Sequence, residues 1–189
     1  MARRPRTSKG RPTNPNFFIF CEGESERAFI DMLRTTYRRP VQLIPIKSKA
    51  NITERTISSA LKHFDTTPND LSYLMFDLDV EGILEKMQRI STARHLLSSP
   101  CFEYWLLLHF EAHPTPISTS ECLKRLAKFA PWYRKGALTA GQWAILAPTI
   151  DTAANRARSL AFPANPSTQI YRLLEDLEIV SKPISTKCK

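Results

Sequence analysis

The chain has 189 residues, 42% hydrophobic and 10% aromatic, a composition that fits one well-cored globular domain and excludes a disordered or fibrous protein. Twenty-seven Lys and Arg against 18 acids give a formal charge of +9. The excess sits at the ends: Arg3, Arg4, Arg6, Lys9 and Arg11 precede every acid, Lys182, Lys187 and Lys189 follow the last one, and without these eight the body holds 19 cations against 18 acids.

In chain order, residues 1–16 mix Arg, Pro, Ser and Thr and read as a basic flexible arm. The arm suits phosphate contacts along DNA or RNA, and its plainer reading is a solvated tail. A single domain follows over 17–181, with a basic tail over 182–189. FFIFC at 17–21 is apolar on both faces and is followed by Gly23, the pattern of a strand buried on both sides in a parallel sheet. The periodicity then predicts a helix over 24–35, a strand over 41–46, a helix over 51–64 and a third strand over 71–76 that runs into Asp77. Such β-α-β-α-β alternation implies an α/β fold: a mostly parallel sheet, right-handed crossovers and helices on both faces.

A further helix is expected to about residue 90, and 93–97 fits strand or helix equally. Ser99 and Pro100 read as N-cap and first residue of a helix over CFEYWLLLHF, which has almost no polar face and is therefore buried. Helices over 118–130, 142–160 with an interruption at Pro148, and 167–179 complete a helical C-terminal part. Cys21, Cys101, Cys122 and Cys188 share no CxxC spacing, so neither a zinc knuckle nor a redox pair is indicated, and a reducing cytoplasm fits. The apolar run at 17–21 is too short for a secretory signal, and no run approaches the ~20 residues of a membrane helix.

In a parallel α/β sheet functional groups gather beyond the carboxyl ends of the strands. Glu22 closes the first strand and Asp77 the third. Asp77 and Asp79 alternate, so both can face one crevice while Leu78 turns to the core. Hard cations such as Mg²⁺ or Mn²⁺ need little more than two or three carboxylates, and clustered carboxylates with such ions are the requirement of phosphodiester hydrolysis. Glu24 and Glu26 have an ordinary explanation as acids in the first turn of a helix; Glu22, ahead of the helix, does not. His109 and His113 are four apart, a zinc spacing that lacks a third ligand. Trp105, Trp132 and Trp143 read as core.

Three stretches, FIFCEGESERAF at 18–29, YLMFDLDV at 73–80 and SPCFEYWLLLHF at 99–110, together with NPSTQIYRLLEDL at 165–177, resemble the RloB-like family of small Toprim-like proteins associated with phage defence and abortive infection. The resemblance implies a Toprim-like fold, Glu22, Asp77 and Asp79 as metal ligands, Glu26 and Glu103 as further acids of the site, a metal-dependent nuclease activity and a separately encoded AAA-type ATPase partner. The chain departs from the family pattern at Ser99, where Asn is common, and at Asp77-Leu78-Asp79-Val80, where a basic residue and a further acid are common; Glu81 is the nearest replacement. Two alternatives stay open. The aspartate motif also fits HAD phosphatases, whose Mg²⁺ pair would have to come from Asp151 and Asp176, and a non-catalytic module would bind nucleic acid or dock on an ATPase. For Glu103 the competitor of a site role is a salt bridge to a basic residue such as Arg94.

Overall fold

A computed structural model describes residues 14–49 and 51–180. Four strands form an all-parallel sheet in the order β2-β1-β3-β4: β1 (Asn16–Cys21), β2 (Gln42–Lys47), β3 (Leu71–Met75) and the short β4 (Arg94–His95). The two-residue period of β1 and β3 divides the core in two. Phe17, Ile19, Cys21, Tyr73 and Met75 enter a larger cluster with Phe29, Ile30 and Leu33 of α1 (Glu24–Tyr37). Phe18, Phe20, Leu74 and Phe76 enter a smaller one with Ile57 of α2 (Glu54–Leu61) and with Ile83 and Met87 of α3 (Ile83–Gln88). Helices thus cover both faces, and the doubly apolar pattern at 17–21 has its explanation in a central strand. β2, at the sheet edge, is only partly buried.

The segment after β4 differs from its sequence expectation. Ser98–Ser99 is not a cap but a strand, β5, paired antiparallel with β6 (Ser167–Thr168), and the hydroxyls of Ser98 and Thr168 lie 2.8 Å apart. Ser98 also bridges to Asp77: its N–H donates to the Phe76 carbonyl, and its own carbonyl accepts from Leu78 N–H. Those backbone bonds hold the serines extended, so the next helix, α4 (Glu103–Leu108), begins later with Phe102 at the N-cap position and no side-chain cap. All six α4 residues are buried, and the five apolar ones, Tyr104 to Leu108, belong to the larger cluster, as a helix with almost no polar face requires. The remaining helices are α5 (Thr119–Phe129), capped by Ser118, α6 (Ala140–Leu146), α7 (Ile150–Arg158) and α8 (Tyr171–Asp176). A 3₁₀ turn containing Pro148 separates α6 from α7, where the interruption was expected. No helix among the described residues is long and apolar enough to cross a membrane.

Asp70 ties the start of β1 to the turn before β3. Its Oδ1 accepts from Asn16 N–H at 2.8 Å and Thr67 hydroxyl at 2.6 Å, and its Oδ2 from the Asn16 side-chain amide at 3.1 Å and Thr67 N–H at 3.0 Å. Asp70→Ala leaves these donors to water or unpaired, and the expected loss is about 1–3 kcal/mol of unfolding free energy. Urea denaturation measures it as a lowered midpoint with an unchanged slope.

Candidate functional site

The parallel pairing of β1 with β3 builds the site. Glu22 N–H donates to the Met75 carbonyl at 3.2 Å, so the ladder runs one residue past β1 and brings the Glu22 side chain to the end of β3. There Asp77 N–H points to Glu22 Oε2 at 3.4 Å. The period of β3 places Asp77 on the face of Tyr73 and Met75, the side covered by α1 and α4. Those two helices contribute Glu26 and Glu103, which are 5% and 0% exposed. Gly23, between Glu22 and α1, is required by a close approach: a Cβ there would stand 2.7 Å from Glu26 Oε2. Asp79 lies beyond the strand and is exposed, as is Glu81.

Five carboxylates therefore share one field. The Asp77 carboxyl is pushed up to about 8, first by burial and then by the charges of Glu26, Glu103, Glu22 and Asp79. Burial also raises Glu26, with Glu103 and Glu22 adding to it.

Glu103 is the most enclosed of the five. Its Oε1 accepts from the Tyr133 hydroxyl at 3.0 Å and faces Lys135 Nζ at 4.0 Å, while Oε2 is buried with no hydrogen-bond partner. Tyr133 and Lys135 belong to the loop between α5 and α6. Ser25 Oγ anchors that loop to the start of α1, standing 3.0 Å from the Tyr133 hydroxyl and accepting Gly136 N–H at 2.8 Å. Because the phenol has one proton, its donation to Glu103 leaves the Ser25 hydroxyl to donate to the phenol oxygen. Burial and the Glu103 charge raise the Tyr133 phenol, so it stays a donor. Glu103 also raises the Lys135 ammonium, which stays charged.

The all-oxygen donor set, the mutual repulsion and the orphaned Glu103 Oε2 fit a hard divalent cation in chemistry. In geometry the fit is incomplete: among the described residues, no three His, Cys, Asp or Glu side chains form a ready coordination group. Glu22 and Asp77 abut, Glu26 and Glu103 close in from the helices, and Asp79 stands outside.

Two expectations are corrected. Glu103 is the first residue of α4, not the fourth, because β5 takes the serines. The Arg94 competitor fails, since Arg94 pairs with Asp176 at 2.5 Å, where Asp176 also accepts from the Tyr73 hydroxyl at 3.0 Å. His109 Nδ1 lies 3.0 Å from both the Leu146 carbonyl and the Thr149 hydroxyl, and burial lowers its pKa to about 4, so it is a neutral core residue. His113 contacts the Thr115 hydroxyl. Trp105 and Trp143 are core. Arg3, Arg4, Arg6, Lys9 and Arg11 lie outside the described residues.

Ser25, Tyr133, Lys135 and Gly136 carried no sequence signal. They sit in a helix start and an irregular loop, where no periodicity marks a contact across more than a hundred residues.

A four-stranded parallel sheet with helices on both faces and acids beyond the carboxyl ends of its central strands is a Toprim-like α/β domain. The RloB-like protein family matches residues 17–177, most of the chain, and the protein belongs to that family. Comparison with curated proteins and with solved structures gives no match.

The Asp77 shift has a thermodynamic consequence. An unfolded aspartate titrates near 3.9 and Asp77 near 8 in the fold, so the stability present below about pH 4 is lost as pH rises toward 8. Asp77→Asn should match the wild type near pH 4 and exceed it increasingly up to pH 8, by on the order of a few kcal/mol. Melting temperatures across that range check it.

Proposed function

We infer that the protein is a metal-dependent nuclease hydrolysing phosphodiester bonds of DNA or RNA. The observation that carries this reading is the gathering of Glu22, Glu26, Asp77 and Glu103 at one end of the sheet, with Asp77 pushed up to about 8 and Glu103 Oε2 unpartnered. Glu22 and Asp77, with Asp79 drawn in, would hold Mg²⁺ or Mn²⁺, which when bound supplies positive charge to the phosphate and lowers the pKa of water. The chain's own residues prepare that site. Gly23 lets Glu26 fold back over the start of α1. Tyr133 fixes Glu103 through Oε1 and leaves Oε2 free to accept a hydrogen bond from a water. Lys135, charged and 67% exposed beside Glu103, is placed to meet a substrate oxygen on the open side.

A role in phage defence, a cytoplasmic site of action and an AAA-type ATPase partner complete this reading on the strength of family membership. One observation favours a non-catalytic module that binds nucleic acid or docks on an ATPase: the absence, among the described residues, of a ready three-ligand group.

Incubation of the purified chain with supercoiled DNA, single strands and tRNA, with Mg²⁺ or Mn²⁺, separates the two. Cleavage by the wild type is expected, abolished by the Asp77→Ala, Asp79→Ala pair. Glu103→Gln, which keeps shape, should remain folded and lose about 10–100-fold in rate or metal affinity, the size usual for groups that orient metal ligands. Cleavage surviving the double substitution would end the assignment to this site. A wild type that binds but never cleaves would establish the module.

A further inference from the structure

Glu24 lies two residues from Glu22 yet takes no part in the buried cluster. It is exposed and held by cations: Lys47 Nζ, at the end of β2, is 2.7 Å from Oε1, and Arg27 Nη1, one turn along α1, is 4.0 Å from Oε2. The hydrogen bond from Lys47 and its charge keep the Glu24 carboxyl below the usual range. The loop bearing Lys135 closes on the same residue, for a Cβ at Gly136 would stand 3.4 Å from Glu24 Cβ. Side chains of Lys47, Arg27 and Lys135 remain 60%, 50% and 67% exposed. Three cations from three elements thus border the acid cluster, and one carboxylate lies between two of them.

Placement in the first turn of α1 explains an acid at position 24 but not the two cations gathered on it, because exposed ion pairs contribute little to stability. A carboxylate between an ammonium and a guanidinium presents the same charge and acceptor oxygens as a phosphodiester.

We propose that Glu24 is an internal stand-in for a substrate phosphate: it occupies, between Lys47 and Arg27, the place of a backbone phosphodiester next to the one at the acid cluster, and nucleic acid displaces it on binding. This surface rests on reading the acid cluster as a nuclease site and adds to it how the polymer is held. It is distinct from the arm at 1–16. Glu24 opens the helix that follows Glu22, so its two cations border the segment that leaves the acid cluster. On displacement the glutamate returns to water and both cations turn to the phosphate. Removing the glutamate's charge should therefore strengthen binding.

The test uses the full chain in EDTA, with fluorescein-labelled single-stranded and duplex DNA and RNA oligonucleotides followed by anisotropy over a NaCl series. Glu24→Gln is expected to bind several-fold tighter, with a salt slope steeper by about 0.7–0.9 for each added phosphate contact. Lys47→Ala and Arg27→Ala should bind more weakly with shallower slopes, and the polymers that respond identify whether the backbone is that of DNA or RNA. Circular dichroism melts confirm that each exposed substitution leaves the fold intact. Unchanged or weaker binding by folded Glu24→Gln overturns the proposal, as does an unchanged slope for both cation variants. Since no cleavage is needed, the two readings fail separately. An inactive wild type with a tighter Glu24→Gln sinks the hydrolase and supports the surface, whereas an active wild type with an indifferent Glu24→Gln sinks the surface alone.

Discussion

Everything at the site depends on β1 and β3 running parallel and adjacent. Parallel neighbours put their carboxyl ends side by side, so the residues that leave them, Glu22 and Asp77, meet although 55 positions separate them. The pairing also sets direction. The same alternation that sends Tyr73 and Met75 into the larger core carries Asp77 to that side, where α1 and α4 bring Glu26 and Glu103. A one-residue slip of β3 would turn its apolar side chains to the wrong cores and Asp77 away from its partners. Core packing and site geometry are therefore one constraint.

That constraint costs stability. Buried carboxylates beside one another lose hydration and repel, and nearby cations offset little of this. Lys135 approaches Glu103 only to 4.0 Å and stays largely in solvent. Tyr133 satisfies one Glu103 oxygen and leaves the other bare. The larger core, formed by α1, α4, α5, α6, α7 and α8 against the sheet, supplies the apolar burial that tolerates such a cluster. The loop anchored by Ser25 adds order where it is needed, fixing the Glu103 side chain from outside the helix that carries it.

The fold was legible where elements are long or doubly buried. FFIFC announced a central strand, and the acid after it announced a strand end beside a crevice. Ser99-Pro100 misled because a serine ahead of a proline has the chemistry of a helix start, whereas the segment is held extended by the bonds of Ser98 with Phe76 and Leu78 and by pairing of both serines with a strand nearly 70 residues away. Two-residue strands such as β5 and β6 have no period to detect. For Glu103 the resemblance implies a site role that does not depend on its helix position, and the fold buries it in the field of Asp77. Its partners Tyr133 and Lys135 were invisible, since a loop contact between distant segments leaves no local pattern.

The two charge populations at this end of the sheet follow from depth. Glu26, Asp77 and Glu103 are buried or partly buried under α1 and α4, where an ammonium on a flexible stem would lose its hydration and where a compact cation with oxygen ligands does better. Lys47, Arg27 and Lys135 sit outward of them, half exposed or more, where long side chains keep their heads in water. Glu24 belongs to the outer layer although its neighbours in sequence, Glu22 and Glu26, belong to the inner one. The first turn of α1 separates them: Glu26 points inward across Gly23, and Glu24 is left outside with Lys47. One short segment, Glu22-Gly23-Glu24-Ser25-Glu26, thereby supplies an inner acid on each side of its glycine, the outer carboxylate and the anchor of the loop that carries Lys135.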